Sequence, residues 1–186
     1  MNAMLGSNNE TGELTRMVKA RLLPAGAVLI EADERERAAL AERFGLESIE
    51  KLSAAIELEQ CQKGVRAEGS LEADITQMCA ISGEPFPVRI NEAITLRFIE
   101  EGTATLTPSD EDEIDFELTA DDCDEIEYSG ESFDLGEAVA QTLGLAIDPY
   151  AEGPGADAAR KTAGIVEEGQ QDGPLAEALK GLTKKN

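Results

Sequence analysis

Three consecutive runs in this chain alternate apolar and polar residues with a period of two. That pattern dictates an antiparallel sheet with one buried face. From 52 to 58 the apolar set falls on even positions: Leu52, Ala54, Ile56 and Leu58. From 65 to 75 it falls on odd positions: Val65, Ala67, Leu71, Ala73 and Ile75, with Arg66, Glu68, Ser70, Glu72 and Asp74 facing outward. From 86 to 98 it is even again: Phe86, Val88, Ile90, Ile94, Leu96 and Phe98. The spacing predicts a meander with core strands near 50–61, 65–78 and 86–99. A two-residue turn at Lys63-Gly64 sets Ile56 opposite Leu71, Leu52 opposite Ile75 and Cys61 opposite Arg66. A loop centred on Ser82-Gly83 sets Ile75 opposite Ile90, Leu71 opposite Ile94 and Cys79 opposite Phe86. Both registers keep the apolar residues on one face, as a half-buried sheet requires.

Helical signals flank the meander. In "DERERAALAERFG", Asp33 with Glu36 three residues on has capping-box spacing, Leu40 and Phe44 share a face, and Gly45 suits the C-terminal cap. In "FDLGEAVAQTLGLAIDPY", Asp134 and Glu137 repeat that spacing. Leu135, Ala138, Val139, Leu143 and Ile147 form a stripe there, and Asp148-Pro149 ends it. Gly136 lies inside this helix and belongs to no glycine-rich phosphate loop, which predicts that another element packs closely on it. Two short strands are expected earlier, near Leu14–Lys19 and Ala27–Ile30. The reading is α+β: a meander packed with two helices over residues 13–150. Residues 1–12 are expected to be disordered. Residues 151–186 are expected to form a flexible tail with a short helix at 174–182.

The charge is uneven. The chain has 16 Lys+Arg and 39 Asp+Glu, a formal net charge of −23. Residues 100–134 hold fifteen of those carboxylates and no basic residue. Such a run, read as an acidic loop over about 100–131, repels itself and opposes compaction. It also repels phosphate backbones, so direct nucleic-acid binding is not expected, and a basic protein is the natural partner. The candidate docking residues are Asp110, Glu111, Asp112, Glu113, Asp121, Asp122, Asp124 and Glu125. "DEDEID" lacks the spaced ligands and turn glycine of a calcium loop. No apolar run reaches transmembrane length, and the polar N-terminus lacks a signal-peptide core, so a cytoplasmic protein is expected.

The side-chain inventory restricts the chemistry. Histidine is absent. The usual base near neutral pH and the commonest zinc ligand are therefore missing, and no Ser-His-Asp triad can form. The three cysteines are few and widely spaced, which suits free thiols in a reducing compartment. Cys79 has a serine, Ser82, where a Cys-x-x-Cys metal pair needs the second thiol. The expected register holds Cys61 far from it along the strand. Cys123 lies among carboxylates that raise a thiol pKa. Cys79 is therefore read as a small buried plug against Phe86. The reading has no catalytic residue, no metal and no cofactor.

The order of these features resembles the YceD family of bacterial large ribosomal RNA subunit accumulation proteins, with a layout nearest alphaproteobacterial members. The resemblance runs through "ERAALAERFGL", "GSLEADITQMCAISGEPFPVRINEAITLRFIEE", the acidic stretch and "FDLGEAVAQTLGLAIDPYAEGPGA", roughly residues 13–155. "LAEALKGL" follows in the tail. The signature positions are Gln77 and Cys79 before the turn, Phe86 after it, and Arg97-Phe98 in the strand. Asp134-Leu135-Gly136-Glu137 open the helix and Asp148-Pro149-Tyr150 end it. Some relatives carry Cys-x-x-Cys at the turn where this chain has Cys79-x-x-Ser82. The resemblance implies a cytoplasmic, non-enzymatic factor needed for accumulation of large-subunit ribosomal RNA. An enzyme acting on ribosomal RNA precursors is the alternative.

Overall fold

The computed structural model describes residues 13–62, 64–102 and 124–165. These form β1 (Met17–Lys19), β2 (Val28–Glu31), α1 (Glu34–Phe44), β3 (Ser48–Cys61), β4 (Gly64–Met78) and β5 (Pro85–Glu100). They continue with β6 (Asp124–Tyr128), β7 (Ser132–Asp134), α2 (Leu135–Ala146) and α3 (Ala156–Thr162). Five strands make one sheet in the order β2-β3-β4-β5-β6, and β1 pairs with β7 in a separate ribbon. The class is α+β, as the periodicity predicts. The chain divides into two compact units. One joins the residues up to Gln77 with Pro87–Asp148, and the other joins Met78–Phe86 with the residues from Pro149.

The strands fall where the alternation puts them, but both expected registers are corrected by two residues. Ile56 pairs with Gly69 rather than Leu71, Leu52 with Ala73 rather than Ile75, and Cys61 with Gly64 rather than Arg66. The physical reason lies at Gly64. Its φ is +138°, and a Cβ there would sit 2.0 Å from the Phe98 carbonyl oxygen. Only glycine permits that approach, so Gly64 is drawn into the strand instead of the turn. At the next turn the Cys79 N–H donates to the Glu84 carbonyl at 2.9 Å, so Cys79 faces Glu84 and not Phe86. A shift of two preserves parity, and so the predicted core face survives. A β-bulge between Ile49 and Lys51 changes the parity of β3 and turns Ile49 inward, 5% exposed.

The buried face of the first unit collects Ile56, Leu71, Ile75, Ile94 and Phe98 from the sheet, with Leu40 from α1 and Leu135, Val139 and Leu143 from α2. Phe98 stacks on Phe133, ring centres 4.1 Å apart. α1 packs against β3, and α2 packs against β1. Asp33 caps α1 in a complete capping box with Glu36, and Gly45 closes its far end at φ +66°. Asp134 caps α2 by accepting the Gly136 and Glu137 N–H groups. Glu137 does not complete a box there. It forms a two-pronged ion pair with Arg43 of α1, at 3.0 and 2.9 Å.

β6 lies inside the segment read as an acidic loop over about 100–131, and β7 follows it directly. Their apolar residues alternate: Ile126 and Tyr128 are half-buried against the core, and Phe133 is 1% exposed. Asp124, Glu125 and Glu127 stay exposed, so the strand forms without burying charge. β6 runs parallel to β5, with Asp124 opposite Leu96. In the second unit, α3 falls within the segment expected as a flexible tail. The 174–182 segment lies outside the described residues.

The close packing expected at Gly136 is present. A Cβ there would lie 2.5 Å from the Leu14 carbonyl oxygen and 2.8 Å from the Arg16 nitrogen. By helix propensity alone, Gly136→Ala would stabilise by up to about 1 kcal/mol. Overpacking against backbone reverses that sign, and a net loss of about 1–3 kcal/mol in urea unfolding is expected. A gain in stability would show that β1 can move away from α2.

Candidate functional site

The turn around Cys79 is built from two stretches distant in sequence. Cys79 accepts the Gly83 N–H on its carbonyl at 3.0 Å, and the Ala80 N–H reaches the Ala151 carbonyl at 3.0 Å. The thiol is buried, 3% exposed, as the plug reading expects. Its surroundings differ from that reading. Sγ accepts the Ile81 and Ser82 N–H groups at 3.4 and 3.3 Å, and the Ser82 side chain and the Gly153 N–H also bond it. These donors favour the thiolate and bring the pKa down from 9.0 to about 7, with the Ser82 side chain contributing most. Phe86 closes over Gly153 instead, where a Cβ would meet its ring at 2.9 Å.

The other signature positions are structural in their contacts. Gln77 is 6% exposed and its Nε2 reaches the Asp148 carbonyl at 3.4 Å, which ties the end of β4 to the segment after α2. Arg97 pairs with Glu125 of β6 at 3.1 Å. Leu135 is fully buried, and Arg43 holds the Glu137 carboxyl below the usual range. Pro149 and Tyr150 lie at the surface in the turn after α2. The structure thus brings Asp134–Glu137 together at the α2 start and Cys79, Phe86, Pro149 and Tyr150 in the second compact unit, while Gln77, Arg97, Phe98 and Asp148 lie at other places in the first. Among the described residues no group of three His, Cys, Asp or Glu side chains is arranged to hold a metal. Cys61, half-buried and free, directs its Sγ to the Gly64 carbonyl.

A groove of the first unit lies elsewhere. It has a volume of about 700 Å³ and is lined by β5, β6 and α2. Ile94, Leu96 and Ile126 supply apolar surface, and Glu92, Asp124 and Glu125 supply carboxylates. Among the described residues, no Lys or Arg lines it. Two of the expected docking residues, Asp124 and Glu125, are therefore at this groove. Asp110, Glu111, Asp112, Glu113, Asp121, Asp122 and Cys123 lie outside the described residues. Sequence reasoning missed the groove because its walls come from segments separated by the acidic run. Among the described residues, no helix is long and apolar enough to cross a membrane.

Fold and surface together define an acidic α+β module with a groove that carries carboxylates and apolar side chains. Residues 67–180 match the model of the large ribosomal RNA subunit accumulation protein YceD, and the chain belongs to the YceD family. No curated protein and no solved structure matches it. The family name implies a role in accumulation of large-subunit ribosomal RNA.

The Cys79 environment makes a pH prediction. Its folded pKa, about 7, lies below its ordinary value of 9.0. The thiolate therefore stabilises the native state fully above the unfolded pKa, and that contribution fades as pH falls through about 7. In a chain carrying Cys61→Ala and Cys123→Ala, ultraviolet thiolate absorbance should titrate with a midpoint near 7. Adding Cys79→Ser should abolish that transition and flatten the rise in melting temperature between pH 7 and 9. A midpoint at or above 9.0 would contradict the hydrogen-bonded thiolate.

Proposed function

We propose that this protein is a non-enzymatic cytoplasmic factor that supports large-subunit ribosomal RNA accumulation by binding a basic protein, most simply a ribosomal one. Membership of the YceD family supplies the process. The observation that carries the mode of action is the run 100–134, with fifteen carboxylates and no cation. Within it, Asp134 caps a helix and Glu125 pairs with Arg97. A field of that sign attracts Lys/Arg-rich surfaces and speeds their association. It disfavours direct contact with an RNA backbone. A chain without histidine lacks the usual proton shuttle for RNA cleavage, which supports a binding role over catalysis.

Capture experiments with the full chain separate this reading from an enzyme acting on precursor RNA. Large-subunit ribosomal proteins should be retained after nuclease treatment, and their association should slow steeply with salt, since exposed charge is screened over about 8–10 Å. Precursor RNA incubated with the pure protein should stay intact. Loss of capture after nuclease would refute the protein-contact reading, and RNA turnover would establish the enzymatic one.

A further inference from the structure

We propose that the groove between β5, β6 and the C-terminal half of α2 is the seat for a basic segment of the partner. An apolar side chain of that segment lies on the groove floor, and flanking Lys or Arg residues meet its acidic rim. The inference rests on the function proposed above and locates its specific contact on the folded domain.

The floor is Ile94, Leu96 and Ile126, and Leu145 of α2 forms a lip that is 85% exposed. Ile94 and Leu96 are themselves buried and Ile126 is half-buried, so Leu145 is the apolar surface that an incoming side chain would cover. The rim carries Glu92, Asp124 and Glu125, all exposed. Arg97 neutralises part of Glu125 from outside the groove, at 3.1 Å. α2 adds to the negative potential. Its last turn has no basic residue, and it ends on Ile147 in an extended conformation rather than on a left-handed glycine. Its last turn, whose Leu145 and Ala146 line the groove, carries the partial negative charge of a helix C-terminus, which favours an incoming cation. The volume, about 700 Å³, accommodates a few side chains and not a folded domain.

Charge decides between occupants. Residues 103–123 join β5 to β6 and adjoin the groove at Asp124. They hold eight carboxylates and no Lys or Arg. Seating them would set like charges against Glu92 and Asp124. A Lys- or Arg-bearing segment meets the same rim with opposite sign, and its apolar residue covers the floor that charge alone does not explain.

The test uses the full chain, isotopically labelled, with two synthetic peptides: one alternating Lys and Leu, the other alternating Glu and Leu. The Lys peptide should shift the Ile94, Ile126 and Leu145 resonances saturably, and the Glu peptide should not. Two variants then go against the captured ribosomal protein by surface plasmon resonance. A groove variant carries Glu92→Gln, Asp124→Asn and Leu145→Lys. A run variant carries Asp110→Asn, Glu111→Gln, Asp112→Asn and Glu113→Gln. All changes are at exposed or loop-run positions, and unchanged melting curves check that both variants fold. The groove variant should weaken the equilibrium constant about tenfold or more, chiefly through faster dissociation, while the run variant slows association. A groove variant that binds like wild type while the run variant weakens would overturn the groove and leave the proposed function standing. Wild-type behaviour of both variants would overturn both. If the run variant alone moved the Ile94 and Leu145 resonances, with no peptide effect, the groove would hold this chain's own segment and the proposal would fall.

Discussion

Arg16 joins the parts of the first unit that the sheet alone does not hold. Its guanidinium is almost wholly buried and grips Glu36 of α1 through two bonds, at 2.6 and 3.0 Å. The same group donates to the Thr15 and Glu31 carbonyls at 2.8 and 3.1 Å. Glu36 in turn accepts the Asp33 N–H that closes the capping box of α1. The Arg16 backbone serves the second helix: its N–H reaches the Asp134 carboxylate at 2.8 Å, and its carbonyl accepts the Leu135 N–H. One residue thus anchors β2 and the N-termini of both helices. A buried pair is costly to desolvate, and here Nη1 and Nη2 of the guanidinium each donate to two acceptors. Removing one partner of such a pair leaves an uncompensated charge, at a cost of about 3–5 kcal/mol.

Around this anchor the fold spends its scarce cations internally. Arg16 holds Glu36, Arg43 holds Glu137 and Glu13, Arg89 holds Asp74, and Arg97 holds Glu125. With 16 basic residues against 39 acidic ones, the surplus cannot be neutralised within the chain. It is concentrated in one run instead. Eight of the run's fifteen carboxylates fall within residues 103–123, and the other seven lie on or beside β5, β6 and β7. A parallel β5–β6 pair needs a long crossover in any case, and here that crossover holds those eight. The groove beside Asp124 then brings some of that charge next to apolar surface, which charge alone does not provide.

The sequence made the local features legible and left the non-local ones hidden. Alternation located β3, β4 and β5, and the Asp33 and Asp134 caps located both long helices, because each signal is contained within a few residues. Gly136 was also readable: a glycine inside a helix has few reasons other than close approach. The registers were read two residues out, since Gly64 belongs to a strand only because Phe98 passes over it. Parity hid that error. Arg16 gives no local signal, because its partners lie up to 118 positions away. The Cys79 nest was hidden for the same reason, because Gly153 joins it from beyond α2. β6 was masked by composition: three carboxylates among five residues outweigh Ile126 and Tyr128 in any charge-based reading.

The central claim is that the acidic side of this YceD protein holds a basic protein. Zero-length carbodiimide cross-linking in cells, read by mass spectrometry, tests it most directly, because it joins a carboxylate to a lysine only where the two already touch. The account predicts links from partner lysines of large-subunit ribosomal proteins to Glu92, Asp124, Glu125 and the carboxylates between 110 and 122. Links confined to the outward sheet face from Arg66 to Asp74, or an absence of links to basic proteins, would contradict it.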